Sequence, residues 1–105
     1  MENIKVGDIY AGTWGYGMTI PAFYKVVKVT AKRVQLLEYD GVMVTDDGYN
    51  QQGYEMPDWN DCRGLVQGTP FATDWSMGIR IKVGYGSYVW ATLWDGKPIW
   101  ADYMD

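Results

Sequence analysis

The sequence contains no histidine and a single cysteine, Cys62. Without histidine the commonest general base near neutral pH is missing, and neither a Ser-His nor a Cys-His nucleophile can be assembled. One cysteine excludes a disulfide within the chain, which suits a reducing compartment, and it cannot supply the several ligands of an ordinary zinc site. These absences predict a protein that is not an enzyme, binds no metal and needs no cofactor.

Other catalytic and ligand-binding patterns fail on spacing. Neither Asp46-Asp47-Gly48 nor Asp58-Trp59-Asn60-Asp61 is followed by the glycine and glutamate that a calcium loop requires. Gly84-Tyr85-Gly86 is followed by Ser87-Tyr88-Val89, which departs from the dinucleotide-binding fingerprint. Acids in residues 46–58 could pair as in glycosidases, but exposed acids in a turn and a loop are the simpler interpretation.

Long apolar runs are missing too. No stretch approaches the roughly 18 apolar residues of a membrane helix, and the segment MENIKVGDIY lacks the basic and apolar regions of a signal peptide. Hydrophobic residues make up 48% and charged residues 21% of the chain, as in ordinary globular domains. The 105 residues therefore predict one domain, 1–105, located in the cytoplasm and not associated with a membrane.

Bases are absent from residues 38–62, and acids are scarce before them. Residues 1–37 carry five bases and two acids, a net +3, whereas residues 38–62 carry seven acids, a net −7. The remainder holds four of each sign, so that the whole chain has a net charge of −4. Such an acidic block is either a solvated loop or a patch that contacts a basic partner.

What the chain does have is strand patterning punctuated by 13 glycines. Residues 18–39 are rich in Val, Tyr and Thr and contain Pro21, which favours strands over a helix. Within them, alternate residues from Phe23 to Val29 are expected on one face, and those from Tyr24 to Thr30 on the other. Further strands are predicted at Asp8–Trp14, Val34–Tyr39, Val42–Thr45, Ile79–Val83, Tyr88–Leu93 and Pro98–Tyr103.

Tight turns are predicted at Thr30–Arg33, Asp40–Gly41 and Asp95–Gly96. Residues 49–64 have no clean period and hold many turn formers, so that an acidic, aromatic loop is expected at about 46–64. Short strands, tight turns and no convincing helix predict an all-β fold with little or no helix. The favoured architecture is a small five- or six-stranded barrel of the SH3-like or OB-like type.

Aromatic residues make up 16% of the chain. Most tryptophans are expected to pack in the core or across strands, with Trp59 and Trp75 as surface rings. In the segment TWGYGMT, residues 13–19, Trp14 and Tyr16 are expected to fold over one end of the barrel, and glycines supply backbone freedom.

Two sets of residues could bind a macromolecule. The acidic loop and its rings form a candidate protein-binding site, because Tyr and Trp are typical interface anchors: Asp46, Asp47, Tyr49, Tyr54, Glu55, Asp58 and Trp59. The alternative is a set of bases and rings that could contact single-stranded nucleic acid: Lys25, Lys28, Lys32, Arg33, Tyr85, Tyr88 and Trp90. The sequence pI of about 4.6 disfavours nucleic acid, since affinity for phosphates comes largely from Lys and Arg.

A series of short motifs marks the two ends of the chain: Gly7-Asp8-Ile9-Tyr10, Thr13-Trp14-Gly15-Tyr16, Thr19, Phe23-Tyr24, Val26-Val27-Lys28-Val29-Thr30 and Ala91–Pro98. They resemble a family of small uncharacterised proteins encoded by bacteriophages, prophages and other mobile elements of bacteria. The family pattern runs Gly-Asp-(Ile/Leu)-(Phe/Tyr), (Ser/Thr)-Trp-Gly-Tyr-(Asp/Glu)-x-Thr and Phe-Tyr-x-Val-Val, and Gly17 stands where an acid is usual. The resemblance implies a bacterial or phage origin and a small non-enzymatic accessory.

These observations predict a non-enzymatic binding module, encoded by a phage or mobile element, that engages a host protein through the acidic, aromatic loop. A narrower version of this hypothesis is an inhibitor of a bacterial defence nuclease, of the anti-CRISPR or anti-restriction type, in which acids occupy a groove meant for DNA or RNA. The alternatives are a single-stranded nucleic-acid-binding barrel and a minor structural virion protein. The bacterial cytoplasm is the expected location, and both a monomer and a homodimer stay open.

Overall fold

Seven strands account for most of the chain that the computed structural model describes, which comprises residues 4–15, 17–46, 51–70, 78–82 and 88–103. The strands are β1 (Ile9–Trp14), β2 (Ile20–Val29), β3 (Val34–Asp46), β4 (Gln52–Pro70), β5 (Ile79–Lys82), β6 (Tyr88–Leu93) and β7 (Ile99–Asp102). None of the described residues is helical, which confirms the predicted all-β class. Within this part of the chain there is accordingly no helix that could cross a membrane.

All strand pairs are antiparallel, and six of the strands form a closed series of pairings. β1 pairs with β2, β2 with β3, β3 with β4, β4 with β5, β5 with β6, and β6 again with β1. We call these six strands the ring. β7 pairs with residues 52–55 of β4. Its other edge meets Thr19, whose N–H donates to the carbonyl oxygen of Asp102 at 2.7 Å.

β3 and β4 continue beyond the ring. The pairing of β2 with β3 ends at Ala22↔Asp40, whereas β3 and β4 stay paired from Gly41↔Pro57 to Asp46↔Gly53. With β7 on the far edge of β4, residues 41–46, 52–57 and 99–102 form a three-stranded sheet that we call the extension. The molecule is elongated as a result, with principal extents of 45 × 26 × 22 Å.

The predicted acidic loop at 46–64 is wrong for its described part, because residues 52–64 belong to β4. Residues 58–61, between Pro57 and Cys62, have no partner on β3, and neither has Arg63 at the register shift that follows. In the first of these breaks the N–H of Asn60 donates to Asp58 Oδ1 at 3.0 Å. The predicted turn at Asp40–Gly41 is also wrong, since β3 runs through it. Gly41 has another purpose there: a Cβ atom at this position would overlap Glu55 Oε1.

Two cores flank β2. The main core lies inside the ring and consists of aliphatic side chains with two tyrosines: Ile4, Tyr10, Ala22, Tyr24, Val26, Val34, Leu36, Ile79, Ile81, Val89 and Ala91. Phe23 points to the other face of β2 and is fully buried there, its ring 5.4 Å from that of Trp94 in an edge-to-face contact. The register places Ala11 and Tyr39 on either side of Phe23. β2 is therefore buried on both faces from Pro21 to Tyr24, whereas Lys25, Val27 and Lys28 are exposed.

The local signals at strand ends give a mixed result. The turn at Thr30–Arg33 is confirmed, because the N–H of Thr30 donates to the Arg33 carbonyl oxygen at 2.9 Å. The turn at Asp95–Gly96 is confirmed as well, with Gly96 at a φ of 86°. The predicted alternation of β2 is wrong after Val27: a bulge between Val26 and Lys28 turns Lys28 to solvent, and Val29 packs against the main core.

The expectation that most tryptophans pack in the core or across strands is confirmed for Trp94, which meets Phe23, and for Trp100, which meets Tyr54, but no described tryptophan is fully buried. Trp14, Trp59, Trp90 and Trp100 are all about half exposed, and only Trp94 is covered further. The reason is that aliphatic side chains together with Tyr10, Tyr24 and Phe23 already fill the interior. Trp14 ends β1 and is 49% exposed, so its folding over one end of the ring stays a prediction; Tyr16 and Trp75 lie outside the described residues.

Tyr24 offers a direct test of the main core. Its hydroxyl is buried without a hydrogen-bond partner among the described residues, and burial, with Glu38 and Asp40 nearby, raises its pKa. An unpaired buried hydroxyl costs about 1–3 kcal/mol, so we expect Tyr24→Phe to raise the free energy of unfolding by about 1 kcal/mol in urea denaturation. Tyr24→Leu, which loses the ring as well, should destabilise. A loss of stability in Tyr24→Phe would contradict the prediction.

Candidate functional site

The outer face of the extension carries large apolar side chains. The register sets Val42 opposite Met56 and Tyr54 opposite Trp100, so that these four share a side of the sheet, while Val44 is exposed at the irregularity where the register shifts between Met43 and Thr45. The rings of Tyr54 and Trp100 meet edge to face at 5.5 Å. Val42, Val44, Tyr54 and Trp100 are each between 44% and 51% exposed, and Met56 is half-buried. We call these five residues the extension face.

The opposite side of the extension is buried and contains Glu55, only 3% exposed. Glu55 Oε2 accepts a hydrogen bond from the Tyr103 hydroxyl at 2.6 Å, whereas Oε1 has no partner among the described residues. Burial raises the pKa of Glu55, the Tyr103 hydrogen bond opposes this rise, and the charge of Asp40 adds to it. The prediction that Glu55 contacts a partner from the surface is therefore wrong.

The remaining acids of the 38–62 block are dispersed. Asp40 lies 3.0 Å from the guanidinium group of Arg63, and Glu38 is half-buried, with its pKa raised by burial and by Asp40 and lowered by Arg63. Asp58 is half-buried and caps its own turn. No described part of the molecule displays the whole block as one acidic surface.

The predicted protein-binding residues are thus separated. Tyr54 lies on the extension face, whereas Trp59 lies at the junction of the six-stranded ring and the extension. The indole of Trp59 meets the aromatic side chain of Tyr39 edge to face, with 4.9 Å between the centroids. Asp46 ends β3, and Asp47 and Tyr49 lie outside the described residues. The sequence did not indicate Val42, Val44 or Trp100 as surface residues. The signal that could have indicated exposed apolar side chains was the run Val42-Met43-Val44, because three consecutive apolar residues place apolar side chains on both sides of a strand.

A second exposed surface lies on β5 and β6. Lys82 pairs with Tyr88 and Arg80 pairs with Trp90 across the two strands, and all four side chains face outward. The guanidinium carbon of Arg80 lies 5.0 Å from the centroid of the Tyr88 ring. Tyr88 and Trp90 are 56% and 52% exposed. We call these four residues the basic aromatic face.

The predicted nucleic-acid set is not brought together as proposed. Tyr88 and Trp90 are neighbours, but Lys25 and Lys28 lie on β2, which is separated from β6 by β1 in one direction around the ring and by β3, β4 and β5 in the other. Lys32 and Arg33 lie in the exposed β2–β3 turn, and Tyr85 is outside the described residues. The cations beside the rings are instead Arg80 and Lys82, which the charge pattern did not single out.

Neither surface resembles a metal centre: among the residues that the structure describes, no group of three acidic or cysteine side chains could hold a metal ion. Comparisons with protein-family models, with curated proteins and with solved structures find no significant match to this chain. Its function has to be inferred from the chemistry of the two exposed surfaces.

Proposed function

We propose that the protein is a non-enzymatic binding module that docks a partner protein on the extension face. The observation that carries this proposal is the set Val42, Val44, Tyr54 and Trp100, each about half exposed, with Val42, Tyr54 and Trp100 on one side of a sheet that extends beyond the ring and Val44 at the adjoining irregularity of β3. Scattered apolar side chains are normal on a surface, but contiguous apolar patches mark interaction sites. Tyr, Trp and Met are also the residues that protein interfaces favour.

The backbone of β3 supports a protein as the partner. From Gly41 to Asp46, β3 pairs with β4 on one side, and no described residue pairs with its other edge. Such an edge presents free N–H and C=O groups, to which an extended segment of another protein can add as a further strand. A partner strand at this edge would lie next to Val42 and Val44, so that backbone and side-chain contacts would form together.

The chemistry of the surroundings favours a partner with a basic rim. Asp58 and Asp61, at the junction of ring and extension, are partly exposed, and Asp102 lies on β7 beside Trp100. Polar rims around an apolar centre are usual in protein interfaces. The resemblance to phage- and mobile-element-encoded proteins makes a bacterial host protein the expected partner. The narrower version, in which acids imitate nucleic acid in a nuclease groove, loses support because Glu55 is buried and Asp40 is paired.

The closed series of strand pairings supports a finer assignment of the fold. Six antiparallel strands that return to the first, with side chains of the main core between them, fit a small barrel of the SH3-like or OB-like type. In that arrangement the extension is a long β3–β4 hairpin that projects from the barrel and is braced by β7.

The test compares two equally exposed sets of rings. We expect Tyr54→Ser combined with Trp100→Ser to weaken the affinity for the partner isolated from host lysate at least 30-fold, because central interface rings contribute about 2 kcal/mol or more. Trp14→Ser, which removes an exposed ring elsewhere, should change the affinity less than threefold. The measurement is isothermal titration calorimetry with the purified partner, after thermal melts show that the variants are folded.

Two outcomes would count against the proposal. One is an equal loss of affinity in the double variant and in Trp14→Ser. The other is that the protein captures only copies of itself, in which case the extension face serves self-association.

A further inference from the structure

We propose that the basic aromatic face is a separate binding site for single-stranded nucleic acid. Tyr88 and Trp90 project from the same side of β6 at positions i and i+2, about 7 Å apart along the strand. Aromatic rings presented in this way stack on the bases of single strands irrespective of sequence, because every base has a π-face. A duplex would not serve, since its base faces are already stacked on one another.

The cations are placed for the phosphates of the same strand. Each aromatic side chain has a basic side chain directly opposite it on β5: Lys82 faces Tyr88 and Arg80 faces Trp90. Opposed side chains of an antiparallel pair are about 5 Å apart at Cβ. The aromatic side chains of β6 would therefore stack on the nucleobases, while the cations of β5 contact the phosphate backbone that joins those nucleobases. Arg80 already lies over the Tyr88 ring at 5.0 Å, which keeps both groups at the surface.

No acid opposes these cations in the neighbouring strands. The described segments 64–70, 78–82 and 88–94 contain neither Asp nor Glu. The acids within the described residues lie elsewhere, mainly in the extension, at the junction of ring and extension and in the β6–β7 turn. Because screening limits the field of distant charges to about 10 Å, Arg80 and Lys82 dominate the local potential among the charges of the described residues.

Polar side chains lead from this face towards two further basic residues, Lys28 and Arg33. The register Gly68↔Ile81 sets Gln67 beside Lys82, and Gln67 is opposite Gln35, which is opposite Lys28. Lys28, Arg33, Gln35 and Gln67 line one shallow cleft. From Tyr88 to Lys28 the path crosses four strand spacings, about 19 Å. A single strand that begins on the rings can therefore continue over uncharged amides to the basic β2–β3 turn.

The experiment measures fluorescence anisotropy of labelled oligo(dT) and oligo(U) at low and moderate salt. We expect Trp90→Ala and Tyr88→Ala each to weaken binding about tenfold, as the loss of one stacked base does. Arg80→Gln with Lys82→Gln should flatten the slope of log K against log salt by about 1.4, the value for two phosphate contacts on a single strand. Binding of both oligonucleotides, or of one alone, supports the proposal and assigns DNA or RNA.

Matched controls come from the other end of the molecule. Trp100→Ala removes a similarly exposed ring and Lys97→Gln an exposed base, and both should leave oligonucleotide affinity within twofold. Three results would overturn the proposal. The first is no anisotropy change at about 100 μM protein in low salt, because the affinity would then be weaker than that of ordinary non-specific binding. The others are an equal loss of oligonucleotide affinity in the control variants, and tighter binding of a duplex than of single strands. Because Trp100 belongs to the extension face, the same variants separate this site from the protein-binding one.

Discussion

Replacing Phe23 with alanine is expected to lower the free energy of unfolding by about 4 kcal/mol, as the loss of a fully buried phenyl ring usually does. Phe23 has no exposed surface, and its ring meets the edge of Trp94 at 5.4 Å. Trp94 cannot easily follow into the space, because its Nε1–H donates to the Lys97 carbonyl oxygen at 2.8 Å. Small domains have only roughly 5–15 kcal/mol of stability in total, so this variant should be close to unfolding at 37 °C.

The matched control is Trp14→Ala, a larger truncation at a ring that is 49% exposed. It should cost only about 1 kcal/mol, because much of the Trp14 ring stays in water in the folded protein. Urea denaturation followed by circular dichroism measures both. If Phe23→Ala and Trp14→Ala cost the same, the second core on the outer side of β2 does not stabilise the fold as described.

The second large effect concerns the buried Glu55 and the half-buried Tyr103 that donates a hydrogen bond to it. Tyr103→Phe removes the hydroxyl that donates to Glu55 Oε2 at 2.6 Å and leaves the carboxyl group without a donor among the described residues. We expect a loss of about 2 kcal/mol at pH 7, since hydrogen bonds to charged groups contribute more than neutral ones. The loss should be smaller near pH 4, where the carboxyl group is protonated and needs the donor less.

The pH dependence has a definite sign. The pKa of Glu55 is raised by burial, above its value of about 4.3 in the unfolded chain. The contribution of Glu55 to stability is therefore fully present below that unfolded value and is lost as the pH rises through the raised pKa of the folded state. Glu55→Gln removes this titration, so the melting temperature of the variant should fall less between pH 4 and pH 8 than that of the unaltered protein. Glu38, whose pKa is also raised, should leave a residual slope.

Parallel pH profiles for the two proteins would exclude Glu55 as the source of the dependence. An opposite slope, with stability rising towards pH 8, would mean that the folded state favours the ionised carboxylate.

The elements that sequence reasoning located correctly have strong local patterns. β6 was predicted with its bounds at Tyr88 and Leu93, and the Asp95–Gly96 turn follows from a glycine that takes a positive φ. Asp40–Gly41 carries the same turn signal, but Gly41 is not among the glycines with positive φ. Its small size is required by Glu55 on the paired strand, a contact that no local pattern reports.

Residues 52–64 of the long β4 strand were not predicted as a strand, for a related reason. Residues 52–64 show no alternation that a single-sided strand would have, because their surroundings change along the strand. Residues 52–55 lie between β3 and β7, residues 56 and 57 pair with β3 in the extension, residues 58–61 have no strand partner, and residues 62–64 belong to the ring. Pairing with distant segments, rather than intrinsic preference, holds this stretch extended.

The candidate sites were only partly visible in the sequence. Charge counts indicated an acidic block, but they could not show that Glu55 is buried and Asp40 paired with Arg63. Alternation along β6 placed Tyr88 and Trp90 on one face correctly. The basic residues that the sequence analysis assigned to Tyr88 and Trp90 were those clustered in residues 25–33. The basic residues that lie beside them are instead their cross-strand partners on β5, Lys82 and Arg80. The extension face joins three segments that only β4 brings side by side.

The double burial of β2 bears on how the protein would respond to a partner. The main core and the core around Phe23 share this strand, so neither can open without uncovering the other, and β3 continues from the ring into the extension. The extension is therefore part of one cooperative unit. A partner that binds only the folded form shifts the unfolding equilibrium of the whole chain by mass action, so occupancy of the extension face protects residues of the ring that the partner never touches.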